Sequence, residues 1–208
     1  MIANVRRRLR FLLAAYRSLR SYLPARPRGP FAPDVASSLT EAECRRLAEL
    51  ARGKTVLEVG SWFGRSTIAL ASTATSVHAV DPHEGDADVG PLETLAPFVR
   101  NLKRYGARER VVVHVGRFEE VALLLAPRSF DLVFIDGFHR LEAVRRDTEL
   151  ALNILRDGGT LAFHDYGRPQ FGVTEIVQSL EPRPDVTDSV AVVEVSPDLR
   201  ERWRGAAQ

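Results

Sequence analysis

Five stretches of this 208-residue chain close on residues able to do chemistry. They are Glu58 with Gly60, Asp81, Gly116-Arg117-Phe118, Asp136 with His139, and His164 with Asp165. Each lies at the end of a short, mostly apolar or β-branched run, such as Thr55 to Val59 or Phe130 to Ile135. In a parallel sheet all strands open their carboxyl ends on one edge, where open α/β folds bind ligands. Polar groups delivered to that edge by five strands are hard to explain as packing. Glu58, just before a glycine, suits a cationic amine better than a pyrophosphate. Asp81 lies 21 positions after Gly60. There, nucleotide-binding βαβ units grip a ribose diol, although an Asp-Pro strand-end turn accounts for it equally well. Phe118 can stack on a base or simply pack. His139 stands three residues beyond Asp136 at the start of a helix, where the dipole would keep an imidazole neutral and basic. The alternatives are a capping histidine at 139 and a loop anchor at 164–165.

The elements that must carry these groups read as alternating strands and helices. TVLEVGSWFGRS, residues 55–66, is a buried strand, a glycine turn and a helix start. Its turn reads G-x-x-x-G, not the G-x-G-x-x-G of dinucleotide dehydrogenases. Thr40 followed by Glu43 is a capping box opening a helix to about Ala51. Helices are expected over 66–74, 91–105, 119–125, 140–156 and 173–180, with Asp157-Gly158-Gly159 stopping the fourth of these. Strands are expected over 77–80, 111–115, 130–135, 160–163, about 186, and 190–195. Residues 83–90 read as a polar loop. This alternation predicts an α/β fold with a parallel sheet covered on both faces.

Hydrophobic residues make up 45% and charged residues 27%, as in an ordinary folded domain, and no run approaches the ~20 apolar residues of a membrane span. The formal charge is +2, and nearly all the basic groups are arginines, Lys54 and Lys103 being the only lysines. That argues against a nucleic-acid surface. A single cysteine, Cys44, fits a reducing compartment, and the expected location is cytoplasmic. Residues 1–23 place six arginines around Phe11, Leu12, Leu13, Tyr16, Leu19 and Leu23. They read as a basic amphipathic helix for an anionic membrane, for the domain itself or for a second copy in a homo-oligomer. Residues 24–33 are a proline-rich linker, 34–200 the folded domain, and 201–208 a tail.

The strings VLEVGSWFGRS, AVDPHEG, FDLVFIDGFHRLEAVRRD and ILRDGGTLAFHDY resemble class I S-adenosylmethionine-dependent methyltransferases over about residues 40–195. Within these, the chain is most similar to the group of macrocin O-methyltransferase and the cephalosporin-hydroxylase-like proteins. The resemblance implies a three-layer α/β/α sandwich with a mostly parallel seven-stranded sheet and an antiparallel last strand, the Rossmann-like methyltransferase fold. It implies that Glu58, Gly60, Ser61 and Gly64 hold the methionine part of S-adenosylmethionine, with Ser66 near its carboxylate. Asp81 would take both ribose hydroxyls, His83 would cover the sugar, and Arg117 and Phe118 would flank the adenine. Asp136 would sit beside the reactive methyl and His139 would be the catalytic base. A divalent cation, magnesium or manganese, would be held by Asp136, His164 and Asp165. His164 departs from the pattern, which has a carboxylate there, and imidazole suits manganese, iron or zinc better than magnesium.

The implied reaction is O-methylation of a small hydroxylated acceptor, such as a sugar or glycosylated natural product. The competing readings are a metal-independent methyltransferase on another acceptor, an NAD(P)-dependent oxidoreductase, a non-catalytic scaffold that binds S-adenosylmethionine, and a nucleic-acid methyltransferase. The missing dinucleotide fingerprint counts against the oxidoreductase. The intact Glu58, Gly60, Asp81, Asp136 and His139 count against a decayed scaffold. No aromatic-interleaved basic surface supports nucleic acid.

Overall fold

A computed structural model of the chain describes residues 31–86, 90–181 and 183–206. In chain order the elements are α1 (Glu41–Ala51), β1 (Thr55–Val59), α2 (Arg65–Ala71), β2 (Ser76–Asp81), β3 (Gly85–Asp86), β4 (Gly90–Pro91), α3 (Leu95–Arg104) and β5 (Val111–Val115). They continue with α4 (Phe118–Val121), β6 (Phe130–Ile135), α5 (Leu141–Ile154), β7 (Leu155–Phe163), α6 (Val173–Leu180), β8 (Asp185–Thr187), β9 (Val190–Glu194) and α7 (Pro197–Ala206). Seven strands form one sheet in the order β5-β2-β1-β6-β7-β9-β8, and β3 pairs with β4 in a small separate hairpin. Strands β5, β2, β1, β6 and β7 run parallel, β9 is antiparallel to β7, and β8 to β9. This is the Rossmann-like methyltransferase sandwich that the sequence implied.

The central strands are rich in Val, Leu, Ile and Phe because helices cover both faces and most of their positions are shielded from water. One face buries Val56, Val77, Leu132 and Phe134 with Leu47, Ile68, Phe98 and Leu102 of α1–α3. The other buries Leu57, Val133, Leu161 and Phe163 with Val144, Ile176 and Trp203 of α5–α7. Each such Leu, Ile or Phe contributes roughly 1.5–3 kcal/mol on burial, so a core of this size holds without a disulfide. The lone Cys44 is buried and free.

The capping box forms as read: Thr40 Oγ1 accepts from the Glu43 amide at 3.1 Å, and the Thr40 amide donates to Glu43 Oε2 at 2.7 Å. Other boundaries shift. The helix expected to run through residue 156 ends at Ile154, and the strand expected at 160 begins at Leu155. Leu155 is fully buried opposite Phe130, and the next regular pair is Leu132 with Thr160. The two glycines therefore serve a bulge inside a strand, with Gly158 at φ +71°, and not a helix stop. The packed unit also starts before Asp34, because Ala32 is fully buried. Residues 201–206 of the expected tail belong instead to α7, which buries Leu199 and Trp203. The amphipathic helix at 1–23 and residues 24–30 of the expected linker lie outside the described residues. Among the described residues no helix is long and apolar enough to cross a membrane.

One buried charge carries a stability prediction. Asp147, on the inner face of α5, is 6% exposed, and burial pushes its carboxyl up to about 7, with Glu119 adding to the shift and Arg146 opposing it. The folded state thus keeps a proton that the unfolded chain releases near pH 4, so stability falls as pH rises from about 4 to 7. Asp147→Asn is expected to flatten that slope in urea titrations and to add on the order of 2–4 kcal/mol above pH 7.

Candidate active site

The site is built where the glycine turn after β1 meets the ends of β2, β6 and β7. The Asp136 amide donates to the Val59 carbonyl and the Gly60 amide to the Val80 carbonyl, both at 2.8 Å, so the three strand ends are laced together. Gly60 has φ +87°, and a Cβ there would lie 2.2 Å from the Asp136 carbonyl oxygen. Gly64, at φ +92°, caps α2, and a Cβ on it would come within 2.9 Å of the Phe98 ring. Both glycines are therefore required by position as well as by dihedral.

Asp81 has a job that the sequence did not reveal. Its Oδ2 accepts from the amides of Ser61 and Trp62, both at 2.8 Å, and its Oδ1 accepts from the His83 amide at 2.6 Å. A carboxylate offers about four lone-pair positions, so backbone bonds leave about one for a ribose hydroxyl, where the sequence reading asked for two. The aspartate holds the glycine turn in shape. His83 is buried, bonded through Nδ1 to Thr94 Oγ1 at 2.8 Å and packed against Phe98, while its Nε2 is buried without a hydrogen-bond partner. Trp62, His83 and Asp165 have φ of +44°, +57° and +63°. Such left-handed backbones cost roughly 1–3 kcal/mol each and concentrate at functional sites.

Glu58 corrects the simple picture of an acid facing the ligand. It is fully buried under the first turn of α2, with Oε2 accepting from Thr67 Oγ1 at 2.5 Å. Burial pushes its carboxyl up to about 8, with Asp136 and Asp81 adding to the rise and Ser66 and Thr67 opposing it, so it is neutral at pH 7. Its Oε1 and the Ser61 hydroxyl are buried without hydrogen-bond partners. Unspent polar atoms of this kind fit a polar ligand on the turn, and a bound cation would restore the charge on Glu58. Ser66 lies in the buried first turn of α2. Phe118 is only 4% exposed and belongs to the second core, so its ring is packing and cannot stack on an adenine. Arg117 beside it is exposed.

Ends β6 and β7 bring Asp136, His139, His164 and Asp165 together. His139 Nε2 lies 3.1 Å from Asp165 Oδ2 and 3.7 Å from Asp136 Oδ1, and its ring stacks on Phe171 at 4.4 Å. Burial alone would lower the His139 pKa, but Asp136 and Asp165 outweigh it and raise it to about 9. This overturns the expectation of a dipole-neutralised imidazole, because two carboxylates in contact exceed one helix end. Arg168 Nε approaches Asp165 Oδ1 at 2.5 Å. His164 is 1% exposed, with Nδ1 2.9 Å from Asp136 Oδ1 and Nε2 3.7 Å from Glu43 Oε2. Burial would lower its pKa, and Asp136 and Glu43 instead raise it to about 10. Burial likewise would raise Asp136, yet His164 and His139 hold it at about 2.

The sequence grouped Asp136, His164 and Asp165 as cation ligands. The structure gathers Asp136, His139 and Asp165 instead, with one donor atom from each all within 4.8 Å. His164 stays outside that group, with its Nδ1 bonded to Asp136 Oδ1 and its Nε2 facing Glu43 Oε2. Two carboxylates and an imidazole suit a divalent transition metal better than magnesium. An entering cation would have to displace His139 or Arg168 from the carboxylates. Sequence reasoning missed Thr67, Arg168, Phe171 and Ser189, which carry no motif. It saw Glu43 only as a helix cap.

A family model described as a methyltransferase domain matches residues 57–166. Catechol O-methyltransferase of Mycobacterium tuberculosis is 33% identical over an alignment of 132 positions, the match covering 57% of this chain and 56% of that protein. The match thus spans little more than half the length of this curated relative. Three solved structures share the fold. Cofactor-bound Rv0187 from MTB gives a TM-score of 0.55 at 23% identity, covering 96% of this chain and 76% of that one. TomG from Streptomyces achromogenes, an O-methyltransferase in complex with SAM, gives 0.54 at 20%, covering 96% and 78%. An O-methyltransferase from Bacillus cereus in complex with SAH gives 0.55 at 19%, covering 96% and 79%.

Proposed function

The chain belongs to the methyltransferase-domain family, and on that premise we propose that it moves the methyl group of S-adenosylmethionine to a hydroxyl oxygen of a small molecule. The observation that carries this reading is the meeting of His139 with two carboxylates at the sheet edge, beside a glycine turn that leaves Glu58 Oε1 and Ser61 Oγ unspent. S-adenosylmethionine would supply an electrophilic sulfonium methyl. Gly60, Ser61, Gly64 and Ser66 would hold its methionine part with Glu58, Asp81 and His83 its ribose, and the backbone at Gly116–Phe118 its adenine. Asp136 would stand beside the methyl.

His139 in its base form takes the acceptor's hydroxyl proton on Nδ1, because Nε2 is buried facing the two carboxylates. The imidazolium so formed is stabilised at Nε2 by Asp165 Oδ2 and Asp136 Oδ1, which makes the ring a stronger base than an isolated imidazole. Phe171 fixes the plane of the ring. Holding acceptor oxygen and base in one geometry supplies most of what such a displacement needs.

A second reading rests on the Asp136–His139–Asp165 cluster. Those residues would hold a divalent cation, which would lower the pKa of a coordinated hydroxyl. A ring nitrogen bound to a cation is no longer a base, so the two readings separate on a chelator: His139 as base keeps its activity in EDTA.

The acceptor belongs to the same proposal. The resemblance to the macrocin group suggests a sugar hydroxyl, and the name of the mycobacterial relative suggests a catechol. The test is transfer of a labelled methyl from S-adenosylmethionine to a catechol and to a deoxysugar glycoside. A methoxy product from either, matched by S-adenosylhomocysteine, supports the reading. A labelled nitrogen or nucleic-acid product would replace it.

A further inference from the structure

Glu43 lies on α1, outside the segment matched by the family model, yet it reaches the reaction centre. It is 1% exposed. Its Oε1 accepts from the Ser189 amide at 2.8 Å and the Ser189 hydroxyl at 2.7 Å. Its Oε2 accepts from the Thr40 amide at 2.7 Å and faces His164 Nε2 at 3.7 Å. The opposite nitrogen of that ring is bonded to Asp136 Oδ1 at 2.9 Å. A helix start, the turn between β8 and β9, and the end of β7 therefore converge on one carboxylate, and His164 links it to Asp136 at the end of β6.

We infer that Glu43 is a positioning residue of the active site: it pins His164, which in turn fixes the carboxylate of Asp136. The geometry gives the reason. His164 is buried with a carboxylate on each side, so its ring cannot turn while both remain, and Asp136 Oδ1 keeps one orientation toward His139. A helix cap alone needs only the Thr40 contacts. The two Ser189 bonds anchor the other oxygen and aim the carboxylate at the imidazole. This also gives His164 a role: with Glu43 opposite, it braces the site and does not enter it. Partners of this kind that orient a functional group change activity by about 10- to 100-fold when removed.

The inference rests on the methyl-transfer reading for its kinetic consequence only, and the test keeps the two apart. Glu43→Gln keeps the capping box, which accepts Gln as well as Glu, and removes the charge facing His164. The variant is expected to bind S-adenosylhomocysteine like the parent, to lower kcat about 10- to 100-fold with KM for the methyl donor unchanged, and to shift the ¹⁵N ring signals of His164. Combined with His164→Gln, its effect should be strongly non-additive, because both act through one chain of contacts. Unmoved His164 signals with parental turnover would overturn the inference, as would strict additivity. If the glutamine variant does not fold, Glu43→Asp retains the carboxylate one methylene back. It should show the same changes in smaller measure, with unmoved ring signals and parental turnover again overturning the idea. If the unaltered protein neither binds S-adenosylhomocysteine nor transfers methyl, the function reading fails on its own, while the His164 signals still decide the role of Glu43.

Discussion

His139→Ala is expected to lower kcat by about 10²- to 10⁴-fold, the usual contribution of a positioned acid–base group, while leaving the affinity for S-adenosylhomocysteine within a few-fold. The ring touches Asp136, Asp165 and Phe171, and none of the polar atoms of the glycine turn depends on it. Loss should therefore fall on the chemical step. The pH profile adds a second signature. With a pKa raised to about 9, the ring of the free protein is protonated at neutral pH, so the base form grows roughly tenfold per pH unit until about 9. The parent's rate should climb through that window, and His139→Ala should be flat across it. Folding stability has the opposite sign: a raised pKa stabilises below the unfolded value of 6.5, and the benefit fades as pH rises toward 9. Unchanged turnover in the alanine variant would remove His139 from the mechanism.

Gly60→Ala should have the largest effect on ligand binding. The added methyl would lie 2.2 Å from the carbonyl oxygen and 2.6 Å from the carbonyl carbon of Asp136, both backbone atoms that cannot rotate away. The dihedral, φ +87°, adds a strain of roughly 1–3 kcal/mol for any residue with a Cβ. Relief requires the β1 and β6 ends to part, which breaks the bond from the Asp136 amide to Val59 and shifts Ser61 and Trp62 off Asp81. The expected outcome is a melting midpoint lower by several degrees and at least a 100-fold loss of S-adenosylhomocysteine affinity. A well-folded variant with parental affinity would show that the turn does not carry the ligand.

Much of this arrangement was legible in the sequence, for identifiable reasons. Thr55–Val59 and Phe130–Ile135 read as buried strands because, Glu58 and Asp131 apart, they are apolar or β-branched, and both begin and end where read. The capping box at Thr40 and Glu43 fixed the start of α1. Local signals failed where tertiary contacts decide. Gly158-Gly159 looked like a helix stop, but burial of Leu155 opposite Phe130 drew the strand back past them. Phe118 looked available for stacking until folding took it into the second core with Val80, Val121 and Phe130. The ionisation of His139 and Glu58 was misread because it depends on residues brought close only by folding. So does the exchange of His164 for His139 beside the carboxylates, since the geometry of Glu43 is set 121 positions away along the chain.

The central claim is that the turn after β1 and the Asp136–His139–Asp165 cluster serve methyl transfer from S-adenosylmethionine. Its most direct test is calorimetric titration of S-adenosylhomocysteine into the unaltered protein, with EDTA or manganese present and with NAD as a parallel titrant. The account predicts one site of micromolar affinity for S-adenosylhomocysteine in either buffer and no heat from NAD. Binding of NAD with silence toward S-adenosylhomocysteine would contradict it.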